Sequence, residues 1–173
     1  MITEKLRIVI IGLSITSSWG NGHATTYRAL VRALSRHGHD TTFLKRDVPW
    51  YAANRDLPNP PYCHTFLYST LKELHEHYAQ AVQDADLVLL GSYVPDGAQI
   101  GEWICDTAAG VKAFYDIDTP VTLSRLESDG IDYLSRDLIP EFDLYLSFSG
   151  GPILKTLELK YGAKRAEAFL LFS

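Results

Sequence analysis

Cysteine is scarce in this chain. Among 173 residues there are two, Cys63 and Cys105, which make no disulfide framework and point to a reducing, cytoplasmic setting. A basic stripe is also missing. Sixteen Lys and Arg are interleaved with 21 Asp and Glu for a net charge of −5, which excludes a large phosphate-neutralising surface and so a nucleic-acid partner. No apolar run approaches the ~20 residues of a membrane span. The first such run, Ile8–Ile11, is too short for a signal peptide; Glu4 dilutes the positive region, and Gly12 to Gly22 occupy the place of a cleavage site. It reads as a buried strand. Repeats, low-complexity tracts and internal linkers are absent too, so residues 1–173 are expected to form a single domain. With 46% hydrophobic and 21% charged residues, the chain can bury a central sheet on both faces.

The pattern along the chain is strand, helix, strand, helix. Leu6 to Ile11 is a β-branched run ending in Gly. Ala24, Tyr27, Leu30, Val31 and Leu34 then recur at helical spacing with Arg28, Arg32 and Arg36 opposite, and Gly38 is suited to close the helix. Thr41–Leu44 is a second strand. Residues 48–64, with four prolines, read as an irregular loop before a short strand at Thr65–Leu67. Thr70 and Glu73 form a capping box for the next helix, and Asp96 with Gln99 looks like a second. Further strands are expected at Asp86–Gly91, Val111–Tyr115, Phe142–Phe148 and Ala166–Phe172, with helices opening at Asp118-Thr119-Pro120 and Gly150-Gly151-Pro152. Such alternation predicts a Rossmann-like three-layer α/β sandwich with a mostly parallel central sheet, ordered 3-2-1-4-5-6 or close to it.

In an open parallel sheet, ligands bind beyond the carboxyl ends of the strands, where helix N-termini offer unpaired N–H groups. After the first strand comes the loop Gly12 to His23, in which Gly20 and Gly22 allow close backbone approach to a phosphate or a sugar hydroxyl. It is not a dinucleotide fingerprint, because the third glycine position is Thr25, nor a P-loop. His23 at the helix start has the pKa range of a general base, and equally can donate to a ligand or pack. His37, His39, His64, His75 and His77 read as solvated surface, and the spacing of His75 and His77 disfavours a metal pair. Asp116 and Asp118 end a strand; they can cap the next helix, bind hydroxyls or act as a base, and are a poor metal cage by themselves. Trp19, Trp50 and Tyr51 lie in loops at the same edge, where bare aromatics call for a covering partner. The candidate catalytic residues are therefore His23 and Asp118. Gly12, Gly20, Asn21, Gly22, Ser92, Asp116, Gly150 and Gly151 are the candidate ligand-binding set, and no metal or cofactor is expected.

Five segments together carry a resemblance: IVIIGLSITSSWGNGHATTYRALVRAL (8–34), RDVPWYAANRDLP (46–58), LLGSYVPDG (89–97), FYDIDTPVTLSRL (114–126) and DLYLSFSGGPILKTLELKYGA (143–163). They resemble the N-terminal domain of GT-B-fold glycosyltransferases, in the spore-maturation-protein-like bacterial group. The resemblance implies transfer of a sugar from a nucleotide-sugar donor to an acceptor hydroxyl without a catalytic metal. It also implies a second Rossmann-like domain holding most of the donor site, which this sequence, ending at Ser173, lacks. The chain is then expected to be the acceptor-side half, inactive alone, with homodimerisation as another way to cover its exposed surface. A non-catalytic ligand- or protein-binding module of the same fold is the alternative. A nicotinamide-dependent oxidoreductase fails on the glycine spacing, and a metal-dependent transferase using Asp116-Ile117-Asp118 is the remaining competitor.

Overall fold

The computed structural model describes residues 4–128 and 130–170. Seven strands form one sheet: β1 (Arg7–Ile11), β2 (Asp40–Arg46), β3 (His64–Tyr68), β4 (Leu87–Gly91), β5 (Val111–Asp116), β6 (Leu144–Ser147) and β7 (Ala166–Ala168). Their order is β3-β2-β1-β4-β5-β6-β7, every pairing parallel. The expected order holds, with the last strand added at the outer edge. Of the expected strand Ala166–Phe172, Leu171 and Phe172 lie outside the described residues. β1 sits between β2 and β4, with Ile8 opposite both Thr41 and Leu87.

Among the described residues six helices connect the strands: α1 (His23–Arg36), α2 (Pro49–Ala52), α3 (Leu71–Asp84), α4 (Gly97–Thr107), α5 (Thr119–Glu127) and α6 (Pro152–Leu159), with a 3-10 turn at Arg136–Glu141. Alternate side chains of each strand point to opposite faces. Val9, Ile11, Leu44, Val88, Leu90, Phe114 and Tyr145 face a core closed by α3 to α6. Ile8, Ile10, Phe43, Leu89, Ala113 and Tyr115 face α1, which buries Tyr27, Leu30 and Val31 against them. Each fully buried Val, Leu, Ile or Phe among them contributes about 1.5–3 kcal/mol relative to exposure. α1 is the long helix packed on this face among the described residues, and Leu144, Leu146 and Phe148 beyond it stay half-buried.

Local signals explain most boundaries. Gly38, at φ +84°, ends α1 as expected, with His39 N–H donating back to the Leu34 carbonyl. Glu73 N–H donates to Thr70 Oγ1 at 3.1 Å, while Ser69 N–H donates to the Glu73 carboxylate at 2.8 Å. The second capping box does not form. Asp96 takes a left-handed conformation, φ 57°, and its carboxylate pairs with Arg46. Residues 48–64 are not irregular throughout, because Pro49, whose fixed φ suits a first helical position, opens the short α2.

Gly91, at the end of β4, has no room for a side chain: a Cβ there would overlap the hydroxyl of Tyr27, which is fully buried. Gly91→Ala is expected to destabilise the fold by about 1–3 kcal/mol through overpacking. Urea unfolding measures it, and a loss of less than ~0.5 kcal/mol would mean that the Tyr27 ring moves aside freely.

Candidate functional site

The topology reverses direction between β1 and β4, and the loops following these strands meet at the carboxyl edge of the sheet. The loop after β1 is held by its own polar groups. Ser14 Oγ donates to the Ser17 carbonyl at 2.5 Å, and Ser17 Oγ to the Asn54 carbonyl at 2.6 Å. Ser18 donates through N–H and Oγ to Asp56, which also receives a bidentate pair from Arg28 at 2.9 and 3.1 Å. Those donors hold the Asp56 carboxyl well below the usual carboxylate range. Asn21 Oδ1 accepts from Ala24 N–H at 3.2 Å, filling one of the free donors at the start of α1.

His23 is the first residue of α1 and is 8% exposed. Its Nδ1 is buried and meets no hydrogen-bond partner. Burial lowers its pKa from 6.5 to about 4, and the charge of Asp118 works in the opposite direction. The Tyr93 ring meets the imidazole edge-on at 5.4 Å and stacks on Tyr133 at 4.8 Å. Tyr93 holds a left-handed backbone, φ 65°, a strained choice for an aromatic residue that places its ring under His23.

Asp116 anchors the other half of the cluster. It is fully buried, and its carboxylate accepts from Tyr145 OH at 2.6 Å, Thr122 Oγ1 at 3.0 Å and Asp118 N–H at 3.1 Å. Burial raises its pKa while these three donors pull it down, the Tyr145 hydroxyl most strongly. Thr122 shares a 2.8 Å hydrogen bond with Tyr133 OH, so the network runs from Asp116 to the tyrosine stacked beneath the His23 partner. Asp118 is half-buried at the N-cap of α5, and its carboxylate caps no backbone N–H there. Ser92, fully buried, accepts from Ile117 N–H at 3.1 Å and ties the loops after β4 and β5 together.

The structure thus brings His23, Asp118, Asp116 and Ser92 to one edge. Gly20 does have positive φ, +66°, whereas Gly22 has φ −89° and open space where a side chain would be. Gly12 is required by packing: a Cβ would stand 2.5 Å from Phe43 and 2.9 Å from Tyr27. Gly150 and Gly151 follow β6, three strand spacings from β1, or about 14 Å away, and Gly151 has φ +77°. Two histidines differ from their solvated expectation. His39 accepts from Leu6 N–H at 3.2 Å, and His75 stacks on Trp103 at 4.5 Å. Tyr51 is also buried, while Trp19 and Trp50 are 55% and 52% exposed.

Thr122, Tyr133 and Tyr145 escaped the sequence reading, since a hydroxyl on a helix or strand gives no sign of which carboxylate it will meet. A groove of about 450 Å³ between α1 and the proline loop, lined by Arg28, Arg32, Arg36, Leu57 and Tyr62, lies apart from the His23 cluster. Among the described residues no group of three His, Cys, Asp or Glu side chains is placed to hold a metal, and no helix is long and apolar enough to cross a membrane.

No protein-family model matches the chain, and no curated protein matches it by sequence. Solved structures match its fold. An α-glucosyltransferase in complex with UDP and a 13-mer DNA containing a central A:G mismatch aligns over 86% of this chain at 14% identity and a TM-score of 0.50. This chain spans 38% of that enzyme's length. The C-terminal domain of the coenzyme A biosynthesis bifunctional protein CoaBC aligns over 73% of this chain and 71% of its own, at 12% identity and a TM-score of 0.44. A wide-type short-chain dehydrogenase/reductase from Veillonella parvula in complex with NADP aligns over 85% and 72%, at 13% identity and a TM-score of 0.47. The sheet order, and the similarity at a TM-score of 0.50, agree on a Rossmann-like α/β fold, with helices on both faces of an all-parallel sheet.

Proposed function

We propose that this domain is the acceptor-side half of a nucleotide-sugar-dependent glycosyltransferase, with His23 as the base that takes the proton of an acceptor hydroxyl. One observation carries the reading: His23 Nδ1 is buried without a partner at the ligand edge, where the Asp118 charge reaches it. With its pKa at about 4, the imidazole is neutral at pH 7 but a weak base, and the role asks that a bound ligand and the Asp118 charge raise its basicity toward the operating pH. A hydroxyl admitted to the buried Nδ1 by displacement of a neighbouring side chain satisfies the orphaned nitrogen, and Asp118 offsets the charge that grows on the ring as the proton moves. A second Rossmann-like domain supplies the nucleotide sugar. The half-buried Leu144, Leu146 and Phe148 offer it, or a second copy of this chain, a surface to cover. Free Cys63 and Cys105, whose thiols burial pushes up, the latter to about 11, suit a reducing cytoplasm.

The test joins this domain to its donor-binding domain and measures sugar transfer. His23→Ala is expected to lower kcat by about 10²–10⁴-fold. Gly22→Val is expected to fold, since its side chain meets nothing within 4 Å, and to raise the KM for the acceptor. Full activity in His23→Ala would remove it as the base. A second reading, a binding module without catalysis, is favoured by the internal commitment of the Ser14, Ser17, Ser18 and Asn21 side chains. Absence of transfer with the donor domain present would favour that reading.

A further inference from the structure

Lys45 plays no part in the His23 cluster, yet it is the least expected side chain in the molecule. It is 0% exposed, at the carboxyl end of β2, and its Nζ has no hydrogen-bond partner. Two residues beyond Phe43, it shares the face covered by α1 and by the loop after β1. The Tyr51 ring lies over it, its centroid 5.6 Å from the ammonium. Asp47, the carboxylate whose charge reaches it, is bonded at 2.6 Å to Arg55 instead. Arg55 has an orphan of its own, for its Nε is buried and unpartnered, and so is Thr16 Oγ1 in the loop above. That loop is fastened to the segment carrying Arg55: Leu57 N–H donates to the Thr16 carbonyl at 3.0 Å and Ser17 Oγ to the Asn54 carbonyl.

Three unsatisfied hydrogen-bonding groups thus lie on two segments that are fastened to each other, and two of them are on cationic side chains, Lys45 and Arg55, close enough for the charge of one to act on the other. A buried unpaired ammonium is among the most costly groups a protein can hold. Deprotonation does not cure the defect, because a neutral amine still lacks partners for its N–H groups. An occupant rich in acceptors and negatively charged answers all three and also offsets the two positive charges.

We propose that Lys45, Arg55 and Thr16 form a phosphate-binding site between the loop after β1 and the segment 47–57, taking phosphate either free or as part of an organic ligand. Lysine provides a point charge and arginine a directed N–H, the pairing commonly used for phosphate oxygens. Burial, then the Arg55 charge, lowers the Lys45 pKa, and an anion beside it acts against both. Because Lys45 has no exposure, an incoming phosphate displaces a neighbour, and Tyr51 on the four-residue α2 is the ring over the ammonium. The site is independent of the transferase reading and asks only for an oxyanion.

Calorimetric titration of the whole chain in chloride buffer of constant ionic strength tests it, with inorganic phosphate and glucose 1-phosphate as separate probes. Saturable binding with a Kd of about 1 mM or tighter is expected for at least one. Binding of inorganic phosphate identifies the free ion as sufficient; binding of glucose 1-phosphate alone identifies an organic phosphate. Lys45→Met is expected to weaken binding at least ~10-fold, and Arg55→Gln to weaken it less. Lys45→Arg, which keeps the charge, guards against a misfolded Met variant and should retain binding. No saturable binding of either probe to the unaltered chain overturns the proposal, whatever the variants do. So does equal affinity in a folded Lys45→Met.

Discussion

Asp116→Ala is expected to cost roughly 3–5 kcal/mol of folding stability, the largest loss of any single polar substitution discussed for this domain. The carboxylate is fully buried and receives Tyr145 OH, Thr122 Oγ1 and Asp118 N–H. Truncation leaves a cavity and strands the Tyr145 hydroxyl and the Asp118 amide without acceptors. Thr122 suffers less, since it keeps its bond to Tyr133. Urea denaturation of wild type, Asp116→Ala, Tyr145→Phe and the double variant forms a cycle, in which a coupling of about 1 kcal/mol or more is expected. A loss below ~1 kcal/mol in Asp116→Ala would show that water enters and replaces the carboxylate.

Acidification is expected to destabilise the fold through His23. Its folded pKa, about 4, lies below the unfolded value of 6.5. Above pH 6.5 both states hold the ring neutral and its contribution is fully present. Between 6.5 and about 4 the unfolded chain takes up the proton first, so stability falls with pH and levels off below the folded pKa. The gap amounts to roughly 3 kcal/mol at full extent. Asp116 acts in the opposite sense, because burial raises its pKa and the folded state then binds that proton more readily. The difference between wild type and His23→Phe isolates the histidine. Its slope should be confined to the window between pH 6.5 and about 4, and equal slopes for the two proteins would mean that water reaches the ring and ionises it at no cost.

Much of this architecture was legible because parallel strands buried on both faces leave dense apolar runs. Ile8–Ile11 and Leu87–Leu90 announce β1 and β4, and helical spacing at Tyr27, Leu30 and Val31 announces α1. The Thr70 cap was legible too, since both partners lie within one turn. Asp96 misled because its carboxylate is taken by Arg46, fifty positions earlier in the chain. Local spacing cannot register a competitor brought in by strand pairing. Lys45 and Tyr145 were hidden for the same reason: Tyr145 sits in an expected strand and Lys45 one residue beyond the expected Thr41–Leu44, in a strand that extends to Arg46, and what each faces depends on segments from elsewhere. The glycines differ among themselves as well. Gly12 and Gly91 are small because Tyr27 lies against them, which no turn pattern reveals.

The sheet order carries a consequence for how the chain folds. Every adjacent pair of strands is consecutive in sequence except β1 and β4, where Ile8 lies opposite Leu87. Two segments, β1 to β3 and β4 to β7, therefore assemble from comparatively local pairings. A single distant closure, with its larger loop entropy, then welds them. The candidate ligand cluster straddles that weld, with His23 supplied by the first segment and Tyr93, Asp116 and Asp118 by the second. The candidate cluster around His23 is thus completed only when the most distant strand pairing closes, and a half-folded chain carries no assembled cluster.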